Sequence, residues 1–294
     1  MNLNISDDRI KDLSNIFSPK ILKELIKNGY SAKLTNILNE LKITPQLDST
    51  TDIYTFFNDI YKLMSKNYKN EYVYKNTIIK KILLGRHTLN TAYMLNELRV
   101  GNSKADCVIF NGTSTVYEIK SEFDSFNRLE TQLNDYKKAF EFVYIVIPDE
   151  SIEKLKTYLS DEQVGIKRLN KDYTISNIRE AKSNKPYFDK ELMFDILQKK
   201  EYTEIVKKYY DNIPSMPNTK VYTFYKKLFC KLTIDILHKE IVKILKNRGD
   251  DNLLKEVILS MPDSLKVLSL QMKLTDKEKY SLLSLLNKKL KYII

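Results

Sequence analysis

The chain has 294 residues, 49 Lys plus Arg against 38 Asp plus Glu, and a formal net charge of +11. With 43% hydrophobic and 30% charged residues it has the composition of a globular protein, which excludes collagen-like and wholly disordered chains, and its length suits one large domain or two smaller ones. The positive balance favours a polyanionic partner, because clustered Lys and Arg gain affinity by releasing counterions from phosphates; a lysine-rich surface without a partner is the plainer alternative.

At the start of the chain, Met1 to Ile16 carries acidic residues where a signal peptide needs a basic region and an apolar run, so a cytoplasmic protein is expected. Residues 1 to about 90 are helical in pattern. Ser18 precedes Pro19 at a first helical turn, Ile21, Leu22, Leu25 and Ile26 form one face, and Gly29 ends it. A second helix opens near Thr51, where Ile53, Phe56, Phe57, Ile60, Tyr61 and Met64 recur at spacings of three and four, and a third spans about Glu71 to Leu84, closed by Gly85.

From Leu95 the apolar period shifts towards two. Leu95 to Val100, Lys104 to Phe110 and Thr115 to Ser121 read as three strands in a meander, the last pair joined by a turn at Asn111 and Gly112. A helix follows, on which Phe126, Leu129, Leu133, Tyr136 and Phe140 step by three or four, and either Asp124 or Ser125 is placed to cap it. Phe142 to Ile147 (FVYIVI) is a continuous apolar strand stopped by Pro148; Ile152 to Leu159 is a further helix and Val164 to Leu169 a further strand. After Pro186 the pattern is helical at about 189 to 209, 221 to 247, 251 to 260 and 276 to 292, with Thr275 and Glu278 at capping-box spacing and Gly249 as a stop. The most apolar long stretch, Val221 to Lys246, is interrupted by Lys226, Lys227, Lys231, Asp235, Lys239, Glu240 and Lys243, so no span of a membrane is expected. The fold class is therefore α/β in the α+β sense, with a mixed sheet. The expected divisions are an N-terminal helical region at 1–70, a sheet-bearing core at 71–182 and a C-terminal helical domain at 186–294.

The strand region carries the chemistry. In TVYEIKS, Glu118 and Lys120 share one face of the strand, away from Tyr117 and Ile119. The two preceding strands supply Asp106 and Glu97. Three carboxylates on neighbouring strands with a lysine beside them could hold Mg²⁺ through hard oxygen ligands, while the lysine polarises a water or a scissile phosphate; the alternative is a surface ion pair. For Asp106 and Glu118 to share a face, Phe110 must pair with Ser114 across a three-residue loop, whereas a two-residue loop would put Asp106 on the wrong side. An acid two residues before a lysine also occurs at Glu40 with Lys42 and Asp135 with Lys137, but both fall in helical patterns.

These residues resemble the PD-(D/E)XK nuclease superfamily, whose αβββαβ core bears an Asp on one strand and Glu-x-Lys on the next. The resemblance covers about Glu71 to Pro148, with Ala105 in place of the proline that names the motif. The stretch Lys104 to Tyr136 looks most like a bacterial subgroup of mostly unassigned function. It implies a restriction-endonuclease-like fold, Asp106, Glu118 and Lys120 as the catalytic triplet, and Glu97 as an additional acid. Asp106, Glu118, Glu97 and the Ile119 carbonyl would be ligands of Mg²⁺ or Mn²⁺. Gln132 and Tyr136 match the Gln-x-x-x-Tyr that RecB-like and related branches carry on the next helix, where a spacing of four puts both on one face; an ordinary core role is their alternative. Arg128 and Lys104 are expected at a nucleic-acid backbone, with solvent as the alternative for Arg128.

The implied activity is metal-dependent hydrolysis of phosphodiester bonds, with DNA favoured over RNA. The implied setting is a prophage, mobile element or antiphage defence. A homo-oligomer or a protein partner through the C-terminal helices is the further expectation. The alternative is an inert module on the same fold that binds nucleic acid or protein. His87 and His238 lie outside any triad pattern and read as surface or satisfied core residues, Cys107 as a small buried residue, and no nucleotide-binding loop motif occurs.

Overall fold

Ser18 and Pro19 begin an α-helix, Pro19–Asn28, as their residue types require: the Ser18 hydroxyl accepts from the Ile21 N–H, and Gly29 ends the helix in the left-handed region at φ +79°. The structure, a computed structural model, describes residues 3–48 and 50–294. The chain forms two units, Met1–Ile82 with Asp251–Ile294, and Leu83–Asp250. This differs from the three stretches expected from the sequence. The helices between 186 and 250 belong with the sheet, because their apolar faces enter its core, and the last 44 residues belong with the N-terminal helices.

The first unit is helical. It contains the expected helices at Ile53–Asn67 and Glu71–Ile78, the second continuing as π-helical turns over Ile79–Leu83. It also contains Ala32–Glu40 and a 3₁₀ stretch at Asp7–Ile16. Its distant parts are tied by backbone hydrogen bonds, Leu290 N–H to the Thr51 carbonyl and Ile53 N–H to the Lys288 carbonyl, and by the Tyr72 hydroxyl donating to the Ser264 carbonyl. The Thr275–Glu278 capping box at the head of Asp276–Leu285 forms with both reciprocal bonds.

The second unit is built on a six-stranded mixed sheet with the strands in sequence order: β1 (Tyr93–Val100), β2 (Ser103–Phe110), β3 (Ser114–Ile119), β4 (Phe142–Pro148), β5 (Gly165–Leu169) and β6 (Ile175–Arg179). The fold is thus α+β, and its first three strands form the expected antiparallel meander. β3, β4 and β5 run parallel, and β6 returns antiparallel at the edge. Phe110 pairs with Ser114 across the three-residue loop Asn111–Thr113, with Gly112 at φ +95°, the conformation that such a short reversal demands and glycine supplies without strain. One face of the sheet, with Val108, Phe110, Val116, Val143, Ile145 and Ile166, is buried under the Leu129–Lys137 helix and under helices from 190 to 247. The 189–209 and 221–247 stretches are each two helices, broken near Leu197 and at Leu232–Thr233, where the Thr233 hydroxyl caps a new start.

Strict alternation fails in the β1–β2 ladder. Leu95 and Val108 pack on the helical core, and so do Leu98, Val100 and Ala105, which a period of two cannot place on the same side. The switch falls at Glu97, whose φ of +57° is left-handed in mid-strand, and at its partner position Asp106. A non-glycine residue held there costs about 1–2 kcal/mol and persists only where its surroundings enforce it.

Candidate active site

The β2–β3 ladder pairs Cys107 with Tyr117, and one step further would bring Asp106 opposite Glu118. At that step the side chain replaces the backbone as acceptor: the Ile119 N–H donates to Asp106 Oδ2 at 2.8 Å. The N–H and C=O of one strand residue point the same way, so the Ile119 carbonyl is also directed towards β2. The β1–β2 ladder pairs Asn96 with Cys107 and Leu98 with Ala105, Glu97 and Asp106 fall between those pairs, and carboxylate oxygens of the two lie within 4.8 Å of each other. Positions 97, 106 and 118 thus follow one another across neighbouring strands where the pleat is interrupted; the Glu97 and Asp106 carboxylates meet there, while that of Glu118 is held by Lys120, Gln132 and Tyr136.

Glu118 is buried, 1% exposed, and its carboxylate is ringed by donors. Oε1 accepts from the Lys120 ammonium at 3.1 Å and from the Gln132 amide at 2.7 Å, while Oε2 lies 2.9 Å from the Tyr136 hydroxyl. Burial pushes the Glu118 carboxyl above its ordinary range, and Lys120 and the other donors only partly offset it. Lys120 is itself buried and donates in addition to the Gln132 carbonyl oxygen at 3.0 Å. An ammonium has three N–H groups, so one is left for a water or a substrate oxygen.

Tyr136 is fully buried, and its hydroxyl sits 2.9 Å from both the Lys104 carbonyl and Glu118. A phenol has one proton for two acceptors. The single proton is therefore shared between the Glu118 carboxylate and the Lys104 carbonyl, each within donating distance of the phenol. Gln132 and Tyr136 therefore do meet at Glu118, as their four-residue spacing implies, and Tyr136 serves the core as well. The helix that carries them is fixed to the sheet by the Ser103 hydroxyl donating to Asp135 at 2.6 Å.

Three expectations need correction or completion. The pair Glu118–Lys120 is no solvated surface ion pair, since its side chains are 2% and 9% exposed. Asp124 and Ser125 do not cap the helix: it starts at Leu129 after Arg128, and Asp124 instead accepts from the Ser121 N–H and hydroxyl, closing the loop after Lys120. Lys104 is half-exposed and ion-paired with Glu97, which places it at the edge of the carboxylate row, while Arg128 is exposed at the helix entrance. Cys107 is buried and donates weakly to Asn96 at 3.5 Å. His87 pairs with Asn111 at 2.9 Å, and buried His238 pairs with Ser114 at 3.0 Å. What the sequence did not indicate is the strained backbone of Glu97, because a left-handed residue inside a strand leaves no composition signal unless it is Gly or Asn.

Fold and site together define an α+β protein with a buried carboxylate–lysine cluster where the pleat of a mixed sheet breaks. The chain belongs to the family of bacteriophage P4 protein cII, which matches over residues 64–269 and so includes the whole sheet and the cluster. It is similar to protein cII of Enterobacteria phage P4 itself, 39% identical over 80 residues, which are 26% of this chain and 30% of that protein; the chain thus matches less than a third of that relative's length. Among solved structures it has a loose likeness to a protein of unknown function, SPO1766 from Silicibacter pomeroyi, at 15% identity and a TM-score of 0.26, covering 32% of this chain and 62% of that one.

Proposed function

We propose that this protein is a metal-dependent nuclease that hydrolyses phosphodiester bonds, with DNA as its substrate. The observation that carries the reading is the row of Glu97, Asp106 and Glu118 with the Lys120 ammonium 3.1 Å from Glu118. The resemblance of the Asp106, Glu118 and Lys120 pattern to PD-(D/E)XK nucleases supports it. So does the strained Glu97 backbone, since such strain concentrates at functional sites. Kinship with a phage P4 protein fits a mobile-element or phage-defence setting.

The donor set suits a hard divalent cation. Asp106 and Glu97 offer carboxylate oxygens within 4.8 Å of one another; Glu118, held by Lys120, Gln132 and Tyr136, and the Ile119 carbonyl would be the further ligands from the adjacent strand. Bound there, Mg²⁺ or Mn²⁺ would neutralise charge on the phosphate and make water a better nucleophile. Lys120 would place its remaining N–H against the attacking water or the phosphate oxygen, with Glu118 and Gln132 fixing its position. Tyr136 would hold Glu118 against the Lys104 carbonyl.

One observation favours a second reading, an inert binding module. Glu118 already has three donors, as a centre sealed by its own side chains would. Incubation with linear, circular and single-stranded DNA and with RNA, with and without Mg²⁺ or Mn²⁺, separates the two. Metal-dependent cutting that Asp106→Ala abolishes supports the nuclease; binding without cutting under every condition supports the module.

A further inference from the structure

The turn after Lys120 presents an aromatic side chain to solvent. Ser121 and Asp124 lock it by two hydrogen bonds, 2.8 Å from the Ser121 N–H and 2.6 Å from its hydroxyl, and between them Phe123 stands 58% exposed, three residues from the lysine of the candidate site. It is the one phenylalanine among the strongly exposed large apolar residues described. The same segment continues to Phe126, which meets Tyr158 edge-on with ring centroids 5.4 Å apart, and Tyr158 is 64% exposed at the end of the Ile152–Tyr158 helix. Lys154, one turn earlier on that helix, lies 5.4 Å from the Phe126 ring, and exposed Arg128 follows two residues after it. Neither Lys154 nor Arg128 has an ion-pair partner among the described residues. The Ser121–Asp124 bonds fix the backbone of the loop that carries Phe123.

We propose that Phe123 and Tyr158 form a stacking platform for unpaired bases, with Arg128 and Lys154 taking the adjacent phosphates, so that the substrate delivered to the Lys120 site is single-stranded nucleic acid. Aromatic rings interleaved with unpaired cations are what a flexible strand needs, since every base has a π-face and every nucleotide a phosphate, whereas a duplex hides its base faces. The proposal rests on the nuclease reading for its meaning as a substrate site but not for its test.

The test is binding in EDTA, where a metal-dependent enzyme cannot cut. The chain has no tryptophan, so Phe123→Trp creates a single tryptophan at the platform, excited selectively on the long-wavelength side of the tyrosines. Titration with oligo-dT or oligo-U should quench its emission, and a blunt hairpin duplex should not. Phe123→Ala and Tyr158→Ala should each weaken single-strand Kd by about tenfold while duplex Kd changes less than twofold. Both side chains are exposed, and the near-ultraviolet spectrum checks that each variant keeps its fold. Quenching by dT alone or by U alone also supports the platform, restricted to that strand. Unchanged single-strand Kd in both variants, or an equal loss on the duplex, overturns the proposal. If the full chain cuts DNA but shows that result, the nuclease stands without the platform. If it binds as expected and cuts nothing with any metal, the platform stands and the nuclease reading falls.

Discussion

Lys120 and Glu118 set each other's chemistry. A surface pair could be dismantled at a cost of at most about 1 kcal/mol, but this one is buried, so removing the ammonium leaves a carboxylate with no cation beside it, worth about 1–3 kcal/mol or more. The carboxyl can escape by holding a proton, and burial already favours that. The sign follows: a group whose folded pKa is raised contributes stability below its unfolded value and loses it as pH rises through the folded one. Lys120→Met, which keeps the apolar volume, raises the folded value further. Its urea midpoint should therefore match wild type near pH 4.5 and fall progressively behind towards pH 8; a pH-independent difference would contradict the pairing. The cleavage rate of Lys120→Met should drop by about 10² or more, and Lys120→Arg should rescue it poorly, because a planar fork replaces a compact point charge. Glu97 offers the converse test. Glu97→Gly removes a carboxylate but relieves a φ of +57°, so it should unfold no more readily than wild type while its Mn²⁺ affinity, read by calorimetry, declines.

At the scale of elements, much of the site was legible because register is discrete. A hairpin loop of two or three residues decides which residue of β2 comes level with Glu118, and the observed Phe110–Ser114 pairing brings Asp106 there, although the break in the pleat at that position was not legible. Helix ends at Ser18, Gly29 and Thr275 were legible for the same reason, since capping uses few residue types. Less was visible where tertiary context decides. β6 (ISNIR) is a half-exposed edge strand without an apolar run, and the breaks in the C-terminal helices lie within continuous amphipathic patterns. Close packing between strands was equally hidden. Gly165 lies so tightly under Tyr144 that an added Cβ would collide with the ring and stand 2.7 Å from the Ala181 nitrogen. Gly165→Ala should cost about 1–3 kcal/mol in equilibrium unfolding, with a loss within 0.5 kcal/mol showing that the ring can yield.

For the whole molecule, the partition into Met1–Ile82 with Asp251–Ile294 and Leu83–Asp250 puts the entire carboxylate row of β1, β2 and β3 in one unit together with the helix that bears Gln132 and Tyr136. The net charge of +11 acts across the chain, and no helix among the described residues is long and apolar enough to cross a membrane. If that charge serves phosphate contacts, nucleic-acid affinity should fall steeply between 50 and 200 mM salt, by about 10³ or more for six contacts, and Asp106→Ala should show the same slope. Salt-insensitive binding would assign the charge to surface composition alone.

The central claim is that the Glu97–Asp106–Glu118 row and Lys120 form a hydrolytic centre. Its most direct test is the single-turnover cleavage rate of one labelled DNA substrate by wild-type protein and by Asp106→Ala, purified in parallel, in Mg²⁺ and in EDTA. The account predicts cutting by wild type in Mg²⁺ and none in the other three reactions. Equal rates for wild type and Asp106→Ala, or cutting that survives EDTA, would contradict it.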